Sequence, residues 1–148
     1  MKYLIQIITA YIGSLGFALL FNIKKERILY ASIGGIITWC IYLLSFYYWN
    51  DIFISNMIAS ILGTAYSELL ARIHKAPTTV FLLPSIVPLV PGGSLYYSMS
   101  YAVMGNKTKF DLYALNTLKT SLGIAVGIIV VSVVVYHLTN YKCKRSKI

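Results

Sequence analysis

Acidic residues are scarce in this chain: four Asp and Glu in 148 residues, alongside two His and two Cys. A paired-carboxylate acid/base site is not expected from so few. Asp51 and Asp111 fall in connections on one side of the chain's apolar runs, and Glu26 and Glu68 fall on the other. G-x-S-x-G, H-E-x-x-H, C-x-x-C and Gly-rich phosphate-loop motifs are all missing. The reading is therefore a non-enzyme, with no catalytic residues, no metal ligand set and no cofactor site. Two cysteines do not make a disulfide framework. Cys40, inside an apolar run, is expected as a small buried hydrophobe, and Cys143, in a basic tail, as an exposed thiol on a reducing side.

Charge of either sign is thin. Charged residues make up 11% of the chain, against about a quarter in soluble domains, which excludes an ordinary soluble fold. The net charge of +9 does not point to nucleic acid. The thirteen Lys and Arg sit in short connections between apolar runs and form no groove-sized patch. With 58% hydrophobic residues and a mean hydropathy of +0.73, the chain reads as one all-α integral domain in a lipid bilayer.

Five apolar segments are expected, at about 3–21, 28–48, 52–71, 79–104 and 119–138, with a mobile basic tail over 141–148. The first is too long for a signal-peptide core and is followed by no small-residue cleavage site, so it reads as a retained span. The second ends in Phe46-Tyr47-Tyr48-Trp49, an aromatic cluster suited to headgroup level. Asn50-Asp51 forms a tight turn. Asp111 is expected to cap the last helix.

With five crossings, nine basic residues (Lys24, Lys25, Arg27, Arg72, Lys75, Lys142, Lys144, Arg145, Lys147) lie on one side and four (Lys2, Lys107, Lys109, Lys119) on the other. The positive-inside bias then puts the N-terminus outside and the C-terminus in the cytoplasm, in the cell (inner) membrane. A re-entrant fourth segment would give eight against five.

The fourth segment organises the rest. It carries no charge between Thr79 and Met104, long enough to span, but Pro84, Pro88, Pro91 and Gly92-Gly93 prevent one straight helix. Unwound backbone is tolerated at membrane depth only where protein or a water-filled cavity covers it. The expected layout is a first half to about Val87, an unwound crossing over Pro88–Gly93, and a second half-helix capped by Ser94. A helix that starts inside the membrane aims free N–H groups and its positive dipole end at the cavity, which suits a carboxylate. Tyr96, Tyr97 and Tyr101 either line the path or pack.

In the third segment, a 100° wheel gathers Asn56, Ala59, Ser60, Gly63, Thr64, Ser67, Glu68 and Ala71 on one half, facing protein. Ile54, Ile58, Ile61, Leu62, Ala65, Tyr66 and Leu69 take the other, facing lipid. Gly123 and Gly127 form a G-x-x-x-G packing pair. Glu68 and Arg72, one turn apart, can pair within the helix and are functional candidates because intramembrane charges are costly. His74 and Lys75 read as interfacial charges. The expected substrate path is Pro88, Pro91, Gly92, Gly93 and Ser94, with Asn56, Ser60, Thr64, Glu68 and Arg72 as polar neighbours, and Glu68 coupling transport to protons.

Gly16-Phe17-Ala18-Leu19-Leu20-Phe21-Asn22, Arg27 ahead of Gly34-Gly35, Arg72-x-x-Lys75-x-Pro77-x-x-Val80-Phe81, and Pro84-x-x-x-Pro88-Leu89-Val90-Pro91-Gly92 resemble the small subunit of the threonine/serine exporter family. Ser85 stands where that pattern has glycine in many relatives. The resemblance implies export of small amino acids, or of dicarboxylates such as succinate in some members, and a larger subunit as partner. The expected mechanism is alternating access, with the start of the half-helix at Ser94 holding the solute's carboxylate. A membrane assembly or regulatory subunit would use the same packing faces without a wet cavity. An odd number of spans means that a second consecutive copy would insert upside down, the inverted-repeat arrangement of many secondary transporters.

Overall fold

The computed structural model describes residues 2–145. Among them the chain is helical: α1 (Lys2–Leu20), α2 (Lys25–Trp49), α3 (Ile52–Ile73), α4 (Thr79–Ile86) continued by a 3-10 turn over Val87–Leu89, α5 (Gly92–Val103) and α6 (Lys107–Arg145). α1, α2, α3 and α6 are each long and apolar enough to cross a bilayer. α4 with its 3-10 turn and α5 make a fifth span, bent by 53°.

Contacts between α3 and α6 fix the topology. Gly123 lies against Phe53, Gly127 against Met57 and Ser60, and Arg72 reaches Thr139. Both chains advance together along this series, so α3 and α6 run parallel. That requires the α4–α5 pair to carry the chain across; a re-entrant segment would leave α6 antiparallel to α3.

α3 is central because its small residues admit neighbours on several sides. Ser55, Asn56, Ala59, Ser60, Gly63, Thr64, Ser67, Leu70 and Ala71 are buried, close to the face expected from the wheel. Glu68 is only half-buried. The opposite face is less lipid-exposed than expected. Ile61, Ala65 and Leu69 border a slot beside α6, and the Tyr66 hydroxyl donates to Tyr30 O at 2.9 Å. Buried hydroxyls bond back to their own helices: Thr64 to Ser60 O (2.7 Å), Ser67 to Gly63 O (2.8 Å), Ser85 to Phe81 O (2.7 Å). This local bonding lets polar side chains sit in a packed interior without partners elsewhere.

One end of the bundle is knotted around Ala18, Ile23, Ala31, Leu70, Ala71 and Phe81. His74 belongs to this knot, its ring 4.9 Å from Tyr30 and 5.5 Å from Phe81. Arg27 donates to His74 O at 3.1 Å, a basic side chain satisfying a carbonyl at α3's C-terminus. At α3's other end Asn50 turns the chain in the left-handed region, and Asp51 Oδ1 accepts from Ile54 N at 3.1 Å.

Several expectations need correction. α6 begins at Lys107, so Asp111, the expected cap, lies inside it. The cap is Asn106, whose side-chain oxygen accepts from Lys109 N at 3.3 Å. Its 39 residues reach about 58 Å at 1.5 Å per residue, nearly twice the ~30 Å hydrocarbon core. The part beyond α3 runs beside α5, where Tyr113 stacks with Tyr97 (5.4 Å) and Tyr101 (5.6 Å). Those two tyrosines therefore pack, while Tyr96 stays exposed. The expected basic tail over 141–148 starts within α6, and its last three residues lie outside the described residues, as does the Cys143 side chain. Cys40 is exposed on the bundle's surface rather than buried.

Candidate functional site

The break in the fourth span is shorter than its sequence suggests. α4 ends at Ile86, the 3-10 turn carries the chain through Val87–Leu89, and only Val90 and Pro91 are non-helical. Pro91 (φ −77°, ψ 49°) forms an inverse γ-turn, with Gly92 N donating to Val90 O at 2.8 Å. α5 thus starts at Gly92, and Ser94 sits in its first turn instead of capping it. Leu95 N donates to Pro91 O at 2.9 Å. Among the described residues, the N–H groups of Gly93 and Ser94 have no backbone acceptor and no side chain caps the helix.

The carbonyl side of the break is better covered. Pro88 has no N–H to offer the preceding turn. Thr38 of α2 covers the next carbonyl along, its hydroxyl donating to Ser85 O at 2.6 Å. The break lies about 18 Å along the fourth span from Thr79, well inside a ~30 Å hydrocarbon core.

A cleft of about 240 Å³ opens at this break, with Pro88, Pro91, Gly93 and Ser94 on one side. Asn56 of α3 and Thr120 of α6 complete the wall opposite, and Trp39 and Tyr42 of α2, stacked at 5.1 Å, form a third side. A Cβ added to Gly92 or Gly93 would meet nothing within 4 Å, so the backbone is open to an incoming solute. Trp39 and Pro88 also border a second cleft of about 200 Å³ that adds Gln6 and Thr9 of α1. Two buried polar atoms beside these clefts have no partner: the donor Trp39 Nε1 and the acceptor Gln6 Oε1. Among the described residues, no Lys, Arg, Asp or Glu borders either cleft.

Of the residues expected to form the path, the structure brings together Pro88, Pro91, Gly93, Ser94 and Asn56, with Gly92 beginning the same helix. Asn56 Nδ2 is held by Ile52 O at 2.8 Å. Ser60 and Thr64 lie elsewhere, fully buried in helix contacts; Ser60 Oγ reaches Met57 O (3.0 Å) and Gly123 O (3.4 Å). Glu68 and Arg72 are remote too, Glu68 being twelve residues on from Asn56, about 18 Å along α3. The expected pair between them is replaced: Arg72 donates to Thr139 Oγ1 at 3.0 Å.

A family model described as threonine/serine exporter, ThrE, matches residues 6–134. The chain belongs to the threonine/serine exporter family. No solved structure matches it. Every residue that borders the two clefts in this exporter-family chain, from Gln6 to Thr120, lies inside the matched stretch. Trp39, Tyr42, Gln6 and Thr120 are the contributors that the sequence reading passed over. Trp39 carried a legible signal: with Gly35, Thr38 and Tyr42 it shares one helical face, and a buried indole N–H ordinarily finds a partner.

Proposed function

We propose that this chain is one subunit of a secondary exporter of small amino acids of the threonine/serine type. It works in the inner membrane with the N-terminus outside and the C-terminus cytoplasmic. The larger subunit of the same family supplies the rest of the pathway, because five spans around two small clefts do not enclose a channel.

The observation that carries this reading is the start of α5. A twelve-residue helix begins within the membrane at a cleft, with two N–H groups unclaimed. The aligned dipole and the open N–H groups favour an anionic oxygen. Trp39 adds a third unclaimed donor at the cleft's wall, and Gln6 Oε1 across Pro88 supplies an acceptor for an ammonium or hydroxyl. Among the described residues no Lys, Arg, Asp or Glu borders the clefts, which suits a zwitterion carrying its own balancing charge. A dicarboxylate would leave a second negative charge without a cation, so the amino-acid reading stands ahead of it.

In the proposed cycle the α-carboxylate sits on Gly93 and Ser94 N–H while the subunits alternate between facing the two sides. Proton coupling through Glu68 is not part of this cycle, since Glu68 borders a different slot. The test is efflux of serine, threonine and succinate from proteoliposomes containing this chain with and without its larger partner. Gly93→Leu places a side chain in the cleft and is expected to abolish serine and threonine efflux at unchanged protein level. Normal efflux by that variant removes the site.

A further inference from the structure

A larger space than either cleft lies elsewhere in the bundle. Between the second half of α3 and α6 lies a slot of about 680 Å³, walled by Ile61 and Leu69 on one side and by Val130, Val134 and Leu138 on the other. Its cause is visible in the helix contacts. Gly123 and Gly127 bring α6 so close to α3 that an added Cβ would stand 2.7 Å from Phe53 O at one and 2.8 Å from Met57 O at the other. Past Gly127 the facing residues become valines, whose branched Cβ holds the helices apart. The gap is closed again only at the far end, where Arg72 donates to Thr139 Oγ1 at 3.0 Å.

We propose that this slot holds one acyl chain of an amine-bearing phospholipid of the phosphatidylethanolamine class, with its phosphate on Arg72 and its amine on Glu68. Three features select a lipid. The slot runs from Ile61 to Arg72, about 16 Å at 1.5 Å per residue, close to the ~15 Å of a single leaflet. A spanning helix from another subunit needs a groove along both leaflets, and the Gly123 and Gly127 contacts shut the other half. Among the described residues that line the slot, charge lies only at the mouth: Glu68 and Arg72 border it at its Thr139 end. They are a carboxylate and a guanidinium one turn apart, and Arg72 is engaged by Thr139, which leaves most of its five donors for a phosphate. Both side chains can extend toward the headgroup level.

The test is native mass spectrometry of the delipidated full chain titrated with phosphatidylethanolamine or phosphatidylglycerol. The wild type is expected to retain one phosphatidylethanolamine, at least tenfold more tightly than phosphatidylglycerol. Val134→Trp and Ile61→Trp, which fill the slot from opposite walls, lose that one lipid while keeping wild-type helicity by circular dichroism. Glu68→Gln binds the two lipids alike, and Arg72→Ala weakens both at least tenfold. Undiminished binding to both tryptophan variants would overturn the proposal. So would equal affinity of the wild type for the two lipids, or a photocrosslinker at Val134 capturing a polypeptide in native membranes.

Discussion

Replacing Gly63 by alanine tests the packing that holds the broken span in place. A Cβ at Gly63 would collide with Thr38 Cγ2, while the next atom, Thr38 Cβ, stands at an ordinary 3.7 Å. The obstacle is thus a single methyl group. Forcing an extra carbon into a tight contact costs about 1–3 kcal/mol, and alanine's better helix propensity returns up to ~1 kcal/mol. Gly63→Ala is therefore expected to destabilise by about 1 kcal/mol. Thr38→Ser removes that methyl but keeps the hydroxyl that reaches Ser85 O, and alone costs ~1 kcal/mol for the lost carbon. Together the two changes exchange one methyl for another in the same place, so the double variant returns to near wild-type stability. The coupling is about 2 kcal/mol, inside the range for residues in contact. Denaturant titration in detergent, followed by circular dichroism, reads all four proteins. If the two effects simply add, the α2–α3 contact described here is wrong.

Arg27→Ala removes the cap on His74 O and is expected to cost about 1.5–3 kcal/mol, the range for a hydrogen bond to a charged group; Arg27→Lys restores part of it in the same titration. Asn106→Ala takes the N-cap from α6, and a loss of 0.5–2 kcal/mol is expected, with slower amide exchange at Lys109 counting against it. Trp39→Phe keeps the aromatic wall but deletes the indole N–H. It should raise the half-saturating threonine concentration for efflux without changing stability, and an unchanged half-saturation would remove Trp39 from the site.

Much of the fold can be read from residue spacing. The polar face of α3 follows a 3.6-residue period, which is why Asn56, Ser60, Thr64 and Ser67 are identifiable as inward-facing before any coordinates. Which of them face a neighbouring helix and which a cleft is a different matter, because it depends on where α6 touches α3. Gly127 against Ser60 removes Ser60 from any path, and no single-helix periodicity contains that contact. The break itself is legible from Pro88 and Pro91. Its exact end is not: serine is a favoured cap, yet the γ-turn at Pro91 starts the helix two residues ahead of Ser94. The early start of α6 was hidden by Lys107, Lys109, Asp111 and Lys119, which interrupt the apolar pattern, while the stacking of Tyr113 on Tyr97 and Tyr101 supports the helix there. The cost of a charge in a membrane marks Glu68 as special without saying for what.

The account depends on the start of α5 being wet and able to hold a carboxylate. The direct measurement is alkylation of a cysteine placed at Ser94, in a chain with Cys40 and Cys143 replaced, by a membrane-impermeant thiol reagent in proteoliposomes containing the larger subunit. The account predicts ready labelling that threonine slows and that its decarboxylated analogue, 1-amino-2-propanol, does not. A cysteine that stays unlabelled, or one protected equally by both compounds, contradicts it.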